Sequence, residues 1–204
     1  GTLQATTTSD ASGDYSFGGM ADGNYRIRVL NESVRSTRAG GTGCTDCYAV
    51  QTFRTEFSGG APTPVTNEVG GANPAATADA GAGTLTGAQT VSPVLILGGG
   101  TGGIHFGFNF NTIVNTNEEG QGSLEQFIVN ANALDESGLN IEANSIFDPA
   151  AGQDVSIFMI PPTGDALGRT ADGGFNGSYF DIFISNGVNP TDLIADNIHI
   201  DGRT

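Results

Sequence analysis

The chain has 204 residues and a formal charge of −15, with only 14% of residues charged, so it is acidic but sparsely charged. Its seven cationic residues form no basic patch, which argues against a nucleic-acid partner because such a potential repels phosphate backbones. All seven are arginine, so Schiff-base lysine chemistry, a P-loop lysine and lysine isopeptide cross-links are excluded, and no apolar run approaches the ~20 residues that span a bilayer.

Thirty-two glycines, abundant Thr, Ser, Asn and Asp, and the near absence of long helical patterns point to a β-rich, turn-rich chain. This length can bury one large β core or two small ones. The start, Gly1-Thr2-Leu3-Gln4-Ala5-Thr6, has neither the basic start nor the apolar centre of a signal peptide, so any export signal is expected upstream. Tyr15 and Phe17 alternate with polar neighbours, Gly18-Gly19 and Asp22-Gly23 offer turns, and Tyr25, Ile27 and Val29 alternate with Arg26 and Arg28. The pattern predicts a hairpin or meander whose inner face is aromatic and aliphatic and whose arginines face water.

Residues 31–47 read as a loop containing Cys44-Thr45-Asp46-Cys47 among Gly40, Gly41 and Gly43. A small loop disulfide, free thiols and redox chemistry all fit two cysteines at this spacing; a thioredoxin-type site would need a strand-to-helix setting that is missing. Zinc lacks a four-ligand set, since His105 and His199 are far off in sequence. Tyr48, Val50, Phe53 and Phe57 predict a strand over 48–57. From about 58 to 90 the chain is rich in Gly, Ala, Pro, Thr and Asn and is expected to be a long irregular loop packed on the sheets, because Val91, Val94, Leu95, Ile96 and Leu97 need the earlier strands as partners.

Ile104, Phe106, Phe108 and Phe110 alternate with His105, Gly107, Asn109 and Asn111, the period of a half-buried strand expected to close the first domain by 113. The period then changes. Leu124, Phe127, Ile128, Ala131 and Leu134 recur at helical spacing, and Ser123 with Gln126 has the form of a capping box. Short apolar runs follow at 157–160, 180–184 and 198–200, ended by Pro161-Pro162, Asn186-Gly187 and Asp201-Gly202. Their spacing resembles coils of a solenoid.

Two family resemblances rest on these residues. Thr8 to Phe17 with Ala21 to Val29 resembles the middle strands of the B-type, prealbumin-like sandwich repeats of bacterial surface proteins, and His105-Phe106-Gly107-Phe108 is similar to their last strand. Val114 to Asn117 with Gly120 to Asn132 is similar to the helix-capped entry of right-handed parallel β-helix regions in large secreted bacterial proteins, and Asn197 to Thr204 looks like an early coil; the family usually has a basic residue where Glu125 stands. The resemblances imply an all-β chain: an Ig-like or prealbumin-like β-sandwich over 1–113, then a short β-solenoid-like segment over 114–204 with one capping α-helix. Both matches are to pieces, so either a longer surface protein or a neighbouring copy is expected to supply the rest.

Candidate site residues follow. Asp10, Asp14 and Asp22 surround the first predicted hairpin and are weak candidates for calcium as a cofactor, because their spacing is not that of a D-x-D-x-D-G loop. Asp135, Glu136, Asp148, Asp154, Asp165 and Asp172 are looser still. Leu3, Ala5, Thr7, Ile198 and Ile200 are the candidate assembly positions, where strand pairing with another copy would give a head-to-tail homopolymer. Two sequons, Asn31-Glu32-Ser33 and Asn176-Gly177-Ser178, are acceptors only where a host glycosylates. The expectation is a non-enzymatic, secreted structural protein of a bacterial surface: a stalk, an adhesin portion or a filament subunit. The rivals are a fragment of a polysaccharide-active β-helix enzyme and a calcium-dependent adhesion module.

Overall fold

A computed structural model describes residues 1–66, 68–142, 148–162, 172–183, 192 and 195–202. Among these the chain forms mostly strands and one short α-helix. β1 (Gly23–Val29) pairs antiparallel with β4 (Thr90–Ile96), and β2 (Val50–Ser58) lies between β3 (Ala61–Val65) and β5 (Phe106–Asn109), also antiparallel. The two sheets are small and open, and touch through β2 and β4, where the Arg54 guanidinium donates to the Ser92 hydroxyl. On either side of α1 (Leu124–Ala133) the pairing becomes parallel: β6 (Thr112–Ile113), before the helix, pairs with β8 (Ile157–Phe158), and β7 (Asp154–Val155) pairs with β9 (Ile198–His199).

Several elements differ from the sequence expectation. Tyr15 and Phe17 form no strand, and β1 pairs with β4 instead. The Tyr15 hydroxyl donates to the Ile104 carbonyl (2.7 Å) and its ring packs against Phe17 and Phe106, so the aromatic pair covers the start of β5; burial pushes the Tyr15 phenol above its ordinary pKa. The Asp22 carboxylate accepts from the Gly98 amide just past β4, clamping the β1–β4 pair at its end. Arg28 does not face water: its side chain is 9% exposed and pairs with Asp79 at 3.3 Å.

The stretch from 58 to 90 is not wholly irregular. Gly59 and Gly60, both at positive φ (61° and 88°), make a two-residue turn that returns the chain as β3 against β2, the glycine pair that a primed hairpin turn demands. The predicted strand over 104–113 is broken in two. Asn109 Oδ1 accepts from the Asn111 amide (2.6 Å) and the Thr112 hydroxyl (3.1 Å), a local turn that competes with the ladder and sends β5 and β6 to different partners. Phe180 makes only an isolated bridge with Phe175, while Ile184 and the Asn186-Gly187 turn lie outside the described residues.

α1 begins at Ser123, whose hydroxyl accepts from the Gln126 amide at 3.1 Å. The reciprocal half of a capping box is absent, because the Gln126 side chain turns outward to the Asp46 carbonyl (2.8 Å) and to Asn130 Oδ1 (3.0 Å). Phe127 and Ala131 join Ile113 and Ile160 in the apolar cluster, with Leu124, Ile128, Phe158, Phe180, Ile182 and Ile198 packed on it. On its other side Asn130 fills its carboxamide: Oδ1 accepts from the Tyr48 amide, and Nδ2 donates to the carbonyls of Tyr48 (2.9 Å) and Phe110 (2.8 Å). Replacing Asn130→Ala strands these buried groups and is expected to cost about 3 kcal/mol, read as a lower urea midpoint with an unchanged m-value.

Candidate functional site

The chemistry of the molecule concentrates where the antiparallel and parallel parts meet. Three arginines sit in apolar or glycine-rich sequence and turn inward, each against a carboxylate: Arg28 with Asp79, Arg38 with Asp154, and Arg54 with Glu68 and Glu56. Arg38 is the hub. It donates to the carbonyls of Asp135 (2.8 Å) and Leu134 (2.9 Å), which end α1, and to the Asp154 carboxylate at 2.6 Å. Asp154 is 1% exposed and also accepts from Asn111 Nδ2, which donates again to the Val155 carbonyl. The last turn of α1 has no basic residue of its own, so Arg38 supplies from far away the cation that favours a helix C-terminus. Gly40 (φ 87°) permits the approach, since a Cβ there would lie 2.1 Å from the Ala133 carbonyl oxygen.

A second clamp runs through residues 70–77. Asn115 Nδ2 donates to the Pro74 carbonyl (2.8 Å), Asn117 Nδ2 to that of Ala75 (2.9 Å), and the Gln121 amide to that of Thr77 (2.8 Å). Gln121 Nε2 reaches back to the Ala49 carbonyl before β2 (2.7 Å). A third cluster fixes 79–89: Asp79 accepts from the amides of Asn31, Ala80 and Gln89, while Arg28 donates to the carbonyls of Ala80, Gly81 and Thr84. These bonds tie loop backbone to loop backbone through side chains, so they position segments rather than a reacting atom.

The sequence-derived candidates fall into separate places. Leu3, Ala5 and Thr7 lie in an exposed segment without strand structure, with Leu3 64% exposed. Ile198 is in β9 and packs on the apolar cluster, Ile200 lies just past it at 47% exposed, and Arg203 and Thr204 are outside the described residues. Cys44 and Cys47 form a disulfide. The Asp10 carboxylate accepts from the amides of Ser12 (2.8 Å) and Asp14 (3.0 Å), while Asp22 serves Gly98. Among the described residues no group of three or more His, Cys, Asp or Glu is placed to hold a metal ion. Asp172 accepts from the Thr116 amide and hydroxyl and from the Gly174 amide. Hydrogen bonds from Ser137 hold the exposed Asp135 carboxyl below its ordinary pKa, and Asp165 is outside the described residues. His105 and His199 are exposed, the latter 2.9 Å from Gln153 Nε2.

Sequence reasoning missed Arg38, Asn111, Asn115 and Asn130. The available signal was compositional: arginine as the sole cation, set between apolar neighbours as in Ile27-Arg28-Val29 and Phe53-Arg54. Compared with protein-family models, curated proteins and solved structures, the chain matches none. No helix among the described residues is long and apolar enough to cross a membrane.

Arg38→Met strands a buried Asp154 and is expected to destabilise by about 3–4 kcal/mol. Adding Asp154→Leu removes the orphaned charge, so the double variant is expected to unfold at higher urea than Arg38→Met alone. Strict additivity of the two single losses would contradict the coupling.

Proposed function

We propose that this chain is a non-enzymatic structural protein of a bacterial surface, acting extracellularly as a stalk, adhesin portion or filament subunit whose copies join by β-strand pairing. One observation carries the reading: residues 1–14 are exposed and outside any strand, while the β1–β4 sheet has only two strands and ends on an edge free of proline. Of the other edges in the antiparallel sheets, β3 carries Pro62 and Pro64 and β4 carries Pro93, a common guard against edge pairing, while β5 is only four residues long and is covered at its start by Tyr15. β1 is therefore the acceptor, and the alternating Leu3, Ala5 and Thr7 of another copy are the donor.

Three further features support it. The disulfide suits an oxidising compartment. The parallel pairs β6–β8 and β7–β9 return at nearly equal sequence intervals, as successive coils of a solenoid would. The side-chain clamps across 110–122 suit a stiff element of a B-type sandwich and capped β-helix better than a tether.

Static light scattering and negative-stain microscopy test the assembly. Elongated head-to-tail oligomers are expected above a threshold concentration, promoted by salt because each copy carries a charge of −15. Leu3→Asp with Thr7→Pro, both on the exposed segment, should abolish them without lowering the melting temperature. A chain that stays monomeric at high concentration and high salt would sink the proposal.

A further inference from the structure

The two sequons are placed in opposite environments. Asn31 is 1% exposed; its amide donates to Asp79 Oδ2 (3.0 Å), its Oδ1 accepts from the Thr90 hydroxyl (2.8 Å), and its Nδ2 is buried without a hydrogen-bond partner. A sugar on that nitrogen has no route to solvent unless the Asp79 cluster opens. Asn176, Gly177 and Ser178 are all exposed, on a turn whose ends are joined by the Phe175–Phe180 bridge with ring centroids 5.0 Å apart. The Asn176 amide donates to the Tyr179 carbonyl (3.1 Å), and its Oδ1 accepts from the amides of Ser178 (3.0 Å) and Tyr179 (3.1 Å). Gly177 at φ 97° is what lets the chain fold back so tightly.

We propose that Asn176 is an N-glycosylation acceptor in the folded protein and that Asn31 is a sequon silenced by burial. The donor class is a lipid-linked oligosaccharide, presented by an oligosaccharyltransferase. Nδ2 forms a bond to the anomeric carbon of the first sugar. The bond from that carbon to the lipid phosphate oxygen breaks, the phosphate leaves with the electron pair, and one amide proton passes to a base on the transferase. The exposed turn fits this chemistry because the acceptor must enter a second protein's active site with the hydroxyl of Ser178 beside it. A glycan there keeps the 175–180 turn in solvent, so that face is not one on which copies pack.

The test uses folded, unmodified protein with a single-subunit oligosaccharyltransferase and lipid-linked oligosaccharide, read by intact mass and peptide mapping. Synthetic peptides spanning 26–38 and 171–183 serve as acceptors in parallel. Both peptides are expected to be modified, whereas the folded chain gains one glycan, on Asn176. Ser178→Ala and Asn176→Gln each remove that mass increment, and Ser33→Ala leaves it unchanged. Occupancy of Asn31 in the folded chain, or an unmodified Asn176 where its peptide is accepted, would overturn the proposal.

Discussion

Helix α1 must satisfy unlike neighbours at once, and the rest of the molecule is arranged around that requirement. Gln126 and Asn130, one helical turn apart, present amides to the backbone of Asp46–Tyr48 and Phe110, while Phe127 and Ala131 present an apolar face to Ile113 and Ile160. Asn132 reaches a third segment, donating to the Asp192 carbonyl and accepting from the Ala195 amide. A ten-residue helix is marginal alone in water. Here it is held by the segments it organises, and its ends are fixed by Ser123 at the start and Arg38 at the finish.

Polar side chains occupy the centre because apolar ones are scarce there. On β2 and β4, where the two antiparallel sheets touch, the buried residues include Thr90, Ser92, Gln51 and Arg54 as well as Val50 and Val94. Such an interior gains little from the hydrophobic effect and must be hydrogen-bonded nearly completely, since an unmatched buried group costs more than a matched one contributes. The clamps at Asn115 and Asp154 meet that condition, whereas Arg28 Nε and Asn31 Nδ2 beside Asp79, and Gln51 Oε1 on β2, are buried without a partner. The clamps also explain how a glycine- and alanine-rich stretch such as 70–89 takes a defined path: its own Asp79 and Gln89 bind its backbone from within, and Asn115 and Gln121 hold it from outside.

Period was legible in the sequence and partnership was not. The strands at 50–58 and 106–109 and the helix at 124–133 follow from apolar spacing, because that signal depends on which face is buried, and the strand at 90–96 follows from an apolar run that needs partners. The failures are pairings. Tyr15 and Phe17 have strand periodicity, yet their rings find Ile104 and Phe106 instead of β1, a long-range choice that local pattern does not encode. The break at Asn109–Asn111 was hidden because asparagine fits the polar face of a strand as well as a turn. The Ser123 cap could be read locally, whereas Arg38 at the far end of the same helix could not, since the cation comes from another part of the chain.

Arginine without lysine is the compositional trace of this architecture. Arg28 serves a carboxylate and the carbonyls of Ala80, Gly81 and Thr84; Arg38 serves Asp154 and the carbonyls of Leu134 and Asp135; Arg54 serves Glu68, Glu56 and the Ser92 hydroxyl. Each needs several donors fanned in one plane. A guanidinium supplies five in a fixed fork and stays charged when desolvated, whereas an ammonium offers three and loses its proton more readily on burial. Because these arginines turn inward, they leave few cations to offset the acidic residues outside. The same choice that holds the loops together therefore sets the charge that a second copy has to overcome in the proposed assembly, and it is the reason that proposal rests on backbone pairing at a strand edge and not on ion pairs.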